Sequence, residues 1–525
     1  MPTSDARSDT LEHNPSPGET ESSAAAGTQP AAARHAEPPS SESPSSSPEV
    51  SASGGATPRG AGRRFDRSIV EGPILPAVWK LAWPTMLHNL IGGLQGMVDH
   101  AMVGHFVGYT GNAAIGVSLQ IFLVVVVFIS SLYTGMGVLV ARFAGAGDEE
   151  KVNRTVYQAF ITSAALSILV LAPVGYFAAP ALLGLVNAAP KVQAEALPYL
   201  RIMFLCSFGT MFFFMLGGAL RSAGDARTPL RYGVVVTVVN IALNVILIPG
   251  LGPVPALGTA GAAIGTALAT GGASLYALYA LRRGRWVVAF PRGMSLKPDW
   301  EVIRALFRFG LPTGIQGVAM NVGGVLLLRF IGSLEQSAEA QAAYAVAYTE
   351  IFSLVSMMAI GIMGATAAVV GQNLGARRVD RATRAVSVAS RIGLTGAGTL
   401  GLLFLTIPNV LLGAFGMTDP GVAELGVQLL RFLTVSSFFL TLALVYTGGL
   451  QGTGDTRSPL YISLISQIAV PLGLCYLFQQ TRGLEPGDIW LAIMLGHITR
   501  GTLSVGRFRQ GKWREIVVDI GPARA

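Results

Sequence analysis

The sequence predicts an all-α polytopic membrane protein, twelve transmembrane helices in two parallel six-helix lobes. Composition, the spacing of apolar runs against loop charge, and an internal repeat each point to it. Of 525 residues, 51% are hydrophobic and 13% charged, where a soluble globular chain carries roughly 25% charge. Mean hydropathy is +0.53. Disorder, collagen, coiled coil and a disulfide-stapled secreted domain are therefore excluded as readings of the whole. The two cysteines, Cys206 and Cys475, each sit inside an apolar run, which leaves no disulfide framework and no cysteine-based metal site. The formal charge of +8 reads first as the one-sided Lys and Arg of a membrane protein, not as a nucleic-acid footprint.

Residues 1–67 come first and are Ser, Pro, Ala, Gly and Glu with almost no large apolar side chain. Such a segment cannot bury enough surface to offset its ordering entropy and is expected to be a disordered tail. It also lacks the apolar core of a secretory leader. Arg59, Arg63, Arg64 and Arg67 precede the first apolar run and place this end in the cytoplasm by the positive-inside rule.

Runs of the length needed to span the hydrocarbon, about 20 residues, begin near Pro76, Ala113, Asn153, Pro198, Tyr232, Ala256, Val302, Ala340, Arg384, Val422, Leu460 and Asp488. The helices at Pro198 and Ala340 look longer than the bilayer and are expected to project or tilt. With the first helix running from inside to outside, one set of loops holds Arg142, Lys151 and Arg154, then Arg221, Arg227 and Arg231, then Arg282 to Lys297, then Arg377 to Arg381, then Arg457. Loops on the other side hold little beyond Lys191 and Arg482. One missed or invented helix would scramble this alternation. The chain then divides into a first lobe over 68–290, a second over 291–510, and a cytoplasmic tail over 511–525.

Residues Gly218 to Leu230 (GALRSAGDARTPL) recur as Gly448 to Leu460 (GGLQGTGDTRSPL), 230 residues apart. Gly145-Ala146 matches Gly375-Ala376 at the same offset, while Pro84-Thr85 matches Pro312-Thr313 at 228. Six helices separate the copies, so the lobes share one membrane orientation and a pseudo-twofold axis along the membrane normal, with the substrate path between them. In the repeated element, Gly-Asp makes a turn after one helix and Pro starts the next.

Charged side chains inside a bilayer are costly and are functional hypotheses by default. Asp99, in the outer half of the first helix, has no Lys or Arg within one turn. His88, Gly92, Gln95 and Asp99 share one helical stripe. A lone carboxylate in low dielectric can exchange a proton near neutral pH; alternatively it stays ionised by holding sodium, or is hydrogen-bonded for packing only. Asn240 and Asn244 lie one turn apart on helix five. Thr259 and Thr266 sit on helix six among Gly258, Gly261 and Gly265, which permit close helix approach. Such Asn and Thr residues also serve as interhelical glue. Glu350, after Tyr344 and Tyr348, either draws a cationic substrate into the cleft or pairs with Arg391 or Arg329. Phe212, Phe213, Phe214 and Met215 either line an adaptable pocket or pack in the core. No phosphate-cradling loop supports an ATP-driven pump, the histidines show no metal-ligand spacing with carboxylates, and nothing resembles a nucleophile with its base; no enzyme is expected.

Residues Met97 to Gly104 (MVDHAMVG) resemble the end of the first helix in the multidrug and toxic-compound extrusion (MATE) family. Val370 to Ala376 (VGQNLGA) resembles that family's signature after helix eight, and the paired Gly-Asp-x-Arg-x-Pro elements match its loops after helices four and ten. The resemblance covers roughly residues 70 to 510. It implies a V-shaped pair of six-helix lobes exporting cationic or amphipathic organic compounds in exchange for protons or sodium ions. It also implies that Asp99 is the coupling acid, with Asn240 and Thr266 around it; Asn244, one turn from Asn240 on the same face, is added as an ion-coupling candidate by its spacing, and Gln95, Glu350, Tyr348 and Met215 are substrate-cleft candidates. One branch of the family has Asp where this chain has Asn244, and another adds acids on helices seven and ten that this chain lacks. No cofactor beyond the coupling ion is expected, nor a nucleic-acid partner, and the protein is expected as a monomer in a bacterial plasma membrane. The competing readings are a lipid-linked oligosaccharide flippase of the same broad superfamily, which calls for several basic residues lining the central cleft, and a channel or receptor.

Overall fold

The computed structural model describes residues 65–521 except 187, 291, 292, 294, 295 and 418, with backbone only at 123–126 and 128. The tail expected over 1–67 lies, as far as residue 64, outside the described residues. A short helix, Ser68–Glu71, precedes twelve long helical segments. They are α1 (Ile74–Phe106), α2 (Tyr109–Ala146), α3 (Glu149–Leu185), α4 (Pro190–Leu205 and Ser207–Ser222), α5 (Arg227–Leu247), α6 (Gly258–Arg282), α7 (Trp300–Gly332), α8 (Ser337–Gly375), α9 (Val379–Thr406), α10 (Pro420–Thr453), α11 (Arg457–Thr481) and α12 (Pro486–Arg509). No strand occurs among the described residues. Among the described residues, eight of these segments are long and apolar enough to cross a membrane, or nine with the two arms of α4 taken together.

Most helices begin a few residues ahead of the apolar runs, several of them on acidic caps. Asp148 accepts from the Lys151 N–H, Asp299 from those of Glu301 and Val302, and Asp419 from those of Gly421 and Val422. The repeated Gly-Asp element is a two-part device. Gly224 and Gly454 take φ of +101° and +95° to end one helix, a conformation glycine adopts without steric cost. Asp225 and Asp455 then cap the next, bonding the Thr228 and Ser458 N–H groups at 3.0 and 3.1 Å.

Two helices depart from simple expectation. The surplus length of α4 is taken up by a 54° bend at Cys206. In α8, 39 residues long, a π-helical turn widens the helix over Ala345–Ile351. Further π turns in α3 (Leu166–Leu171) and α11 (Ile465–Ala469) sit just before Pro173 and Pro471, whose rings remove a backbone donor and clash with the preceding turn.

Packing follows the repeat. α2 lies against α7 and α8 against α1, while α2 and α8 touch each other, so each half lends its first two helices to the seam. The Arg-rich ends meet there: Gln372 donates to the Ser222 carbonyl at 2.7 Å and Arg142 to that of Thr453 at 3.2 Å. Glycines let the backbones touch; a Cβ on Gly310 would stand 1.8 Å from the Ser131 carbonyl oxygen and one on Gly135 2.0 Å from that of Leu306. Further from this end, a Cβ on Gly96, Gly116, Gly317 or Gly324 would meet nothing within 4 Å among the described residues.

The stretch expected as a C-terminal tail is docked as far as it is described. Trp513 is buried and stacks on Phe508, and Val518 and Ile520 enter the core of the first half. Lys151 pairs with Asp519 at 2.8 Å, and Arg154 donates to the Gly521 carbonyl at 2.7 Å. The segment thus straps α12 to α3 across the Arg-rich end.

Candidate ion and substrate site

Asp99 stands on α1 facing α5 and α6. Asn244 donates to its Oδ1 at 2.7 Å. Asn240, one turn earlier, satisfies both of its polar atoms when its amide is assigned with the oxygen accepting from Thr266 Oγ1 at 3.1 Å and the nitrogen donating to Asp99 Oδ1 at 3.2 Å. Both amides are fully buried, Asp99 half so. Glycines set these distances. A Cβ on Gly265 would stand 2.2 Å from Asn244 Oδ1, one on Gly261 2.6 Å from the Leu247 carbonyl, and one on Gly233 2.5 Å from His88 Nδ1. Among the described residues no Lys or Arg pairs with Asp99. Asn244 Oδ1 is buried with no donor to satisfy it. Asn240 and Asn244 thus bond Asp99 and Thr266 bonds Asn240, whereas Thr259 donates to Glu195 at 2.7 Å.

His88, Gly92 and Gln95, the rest of the stripe, line a cavity of about 410 Å³ that Thr237, Thr266 and Thr270 also border. Gln95 accepts from Thr237 at 2.7 Å. A second cavity of about 350 Å³ adjoins it through His88, Asn89, Phe213 and Phe214 and reaches the Arg-rich end of the seam. The aromatic cluster divides: Phe213 and Phe214 face the cavities, while Phe212 and Met215 are packed in the core. Met215 is fully buried, which corrects its placement among cleft residues.

In the second half, Tyr348 is half-buried and stacks on Tyr344 with centroids 4.9 Å apart. Glu350 lies in the π turn of α8 and forms no ion pair among the described residues; Arg329 and Arg391, its expected partners, are exposed. Arg431 is exposed too, and Arg500 is buried beside His497. No cluster of side chains suited to a metal occurs among the described residues.

Three residues escaped the sequence reading. Glu195 lies ahead of Pro198, near which the apolar run of α4 begins, so nothing in the run marks it. Tyr199 is buried one turn later. Arg221, assigned to a loop, is inside the seam. The one signal that singles it out is its replacement by Gln451 in the otherwise similar repeat.

The model of the MatE family matches residues 84–246 and 312–477. The chain belongs to the MatE family. The two matched blocks are the two copies of the internal repeat. A probable multidrug resistance protein NorM of Deinococcus radiodurans is 30% identical over 451 residues, 83% of this chain and 95% of that protein. Another, of Thermotoga maritima, is 28% identical over 448 residues, covering 84% and 93%. Among solved structures, an outward-facing multidrug resistance MATE transporter superposes with a TM-score of 0.79 at 22% identity, covering 86% of this chain and 99% of that one. That likeness establishes the shared MatE fold.

Proposed function

We propose that this MatE protein is a secondary-active antiporter that exports cationic or amphipathic organic compounds, with the coupling ion carried at Asp99. The observation that carries the reading is the pairing of a half-buried, cation-free carboxylate with two buried amides, one of which keeps an unsatisfied oxygen. Ionised, Asp99 accepts the N–H groups of Asn244 and Asn240. Protonated, it gains an O–H that needs an acceptor, and Asn244 Oδ1 is available once that amide turns over. Occupancy by one proton therefore changes what α1 and α5 ask of each other. A ligand that binds two conformations unequally is what alternating access requires.

The donor set favours a proton over sodium. Hard cations want several oxygens at once, and Asp99 faces mainly amide N–H groups. The seam is closed at the Arg-rich end, which we assign to the cytoplasm, so this state releases cargo outward. The names and bacterial sources of the relatives support multidrug export across a bacterial plasma membrane. A flippase of anionic lipids would want several cations in the central cavity, and its lining holds one, Arg221.

Efflux in everted vesicles, with sodium and pH gradients imposed separately, tests the reading. Wild type should export only when a gradient is present, and Asp99→Asn should lose gradient-driven export while folding normally. Full export by Asp99→Asn defeats it.

A further inference from the structure

The antiport reading makes no use of the one cation in the central cavity. This cavity is walled by both halves, and among its described lining residues Arg221 is the only one bearing a formal charge and none is Asp or Glu. Arg221 is 8% exposed. Its Nη1 donates to the Tyr133 hydroxyl, and among the described residues its buried Nε has no partner and no carboxylate pairs with it. A buried cation without a counter-charge is unfavourable unless something supplies one.

The repeat isolates the charge. Arg221 and Gln451 occupy equivalent positions, 230 residues apart, and both line the cavity. Gln451 meets whatever packing or hydrogen-bonding demand the fold makes there, so topology alone does not call for a cation in the first copy.

We propose that this cavity is a subsite for the carboxylate of an amphipathic organic substrate, received by the Arg221 guanidinium. A planar guanidinium offers parallel N–H groups that match a carboxylate. One positive charge balances one carboxylate, whereas a diphosphate would call for more. Phe213, Phe214, Tyr232, Ile360 and Met363 supply the apolar wall that an organic frame needs. The adjoining cavity leads along α1 towards Gln95, and His88 and Asp99 are three turns apart, about 16 Å. A molecule with a carboxylate at one end and an amine at the other would direct its cation towards Asp99. The inference names a substrate class for the exporter and rests on that reading, yet its test measures binding without a gradient, so either can fail alone.

The test uses the full-length protein in phosphatidylcholine nanodiscs and two probes, a fluorescent quinolone carboxylic acid and its methyl ester. Wild type should bind the acid about tenfold more tightly than the ester, the size of one charge-assisted hydrogen-bonded contact. Arg221→Gln should bring the acid to the ester's affinity and leave the ester unchanged, while Arg221→Lys keeps part of the preference. Gly364→Ala puts a methyl 2.8 Å from Arg221 Nη1, so it should weaken the preference with the charge intact. Equal affinity of wild type for the two probes, or a preference that survives Arg221→Gln, overturns the proposal. A further arm adds phosphatidylglycerol and measures retained lipid by native mass spectrometry. Arg221-dependent lipid retention without any acid preference assigns the site to a lipid phosphate and also overturns it. If Arg221→Gln does not fold, an undiminished preference in Gly364→Ala decides against the proposal.

Discussion

Gly145 and Gly375 make mirrored contacts across the seam: a Cβ on Gly145 would stand 1.9 Å from the Gln372 carbonyl oxygen, and one on Gly375 1.9 Å from that of Arg142. Each pair of equivalents, 145 with 375 and 142 with 372, is separated by the repeat offset. The closed end is thus a twofold backbone-to-backbone contact that no side chain can enter. Gly375→Val should force the ends of α2 and α8 apart, at an overpacking cost of about 1–3 kcal/mol, and favour the state open at this end. Disulfide cross-linking between cysteines placed at Ala146 and Ala376 should fall well below the parent level. Gly145→Val should do the same to a similar degree, because the contact is symmetric.

Much of this was legible beforehand, for a physical reason. Helix existence, the repeat and the Gly-Asp caps depend on local chemistry and on counting apolar runs, and Asp99 announced itself as a charge with no neighbour of opposite sign. Asn240 and Asn244 share a face by spacing alone. What could not be read was direction about a helix axis near a helix end. Arg221 sits in the last turn of α4 and turns inward, Glu195 sits in the first turns of the same helix, and Met215 between them turns to the core. Hydropathy gives a segment's membership of the membrane but not the rotation of its final turn. Docking of residues 511–521 was equally hidden, since Ile516–Val518 and Ile520 make an apolar stretch far too short to read as a membrane segment.

The strap formed by those residues should be held by its apolar anchor more than by its ion pair. Lys151 and Asp519 are 29% and 59% exposed, and such pairs contribute about 0–1 kcal/mol. Trp513 is 2% exposed, and emptying a buried Trp site costs about 3–5 kcal/mol. Trp513→Ala should therefore lower the unfolding temperature clearly, whereas Asp519→Ala should barely move it. A larger effect from Asp519→Ala would reverse this ranking.

The paired caps offer an internal control. Asp225→Ala and Asp455→Ala each remove a helix N-cap, for about 1 kcal/mol. Asp455 also receives Arg507 at 2.9 Å and is 6% exposed at its side chain, while Asp225 has no such partner among the described residues. Asp455→Ala should thus be the more destabilising, since it strands a guanidinium as well. Thermal unfolding of the two variants in one detergent should show the difference, and Arg507→Gln should shrink it.

Gly265 gives a way to disturb the carboxylate without altering any ionisable group. Its missing Cβ is the space that Asn244 Oδ1 occupies, 2.2 Å from where a methyl carbon would stand. Gly265→Ala must push either α6 or the Asn244 amide, and the amide is the softer of the two because its rotation breaks one hydrogen bond to Asp99, whereas moving α6 repacks a helix against Leu247 and Ile248. The variant should fold, at a cost of about 1–3 kcal/mol, keep its affinity for the quinolone acid, and lose gradient-driven export by roughly the tenfold that one charge-assisted hydrogen bond commands. Binding and transport measured on the same preparation separate the outcomes. Loss of both together would place the damage in the fold, and retention of both would mean that the Asn244 contact is not what joins occupancy of Asp99 to the position of α5.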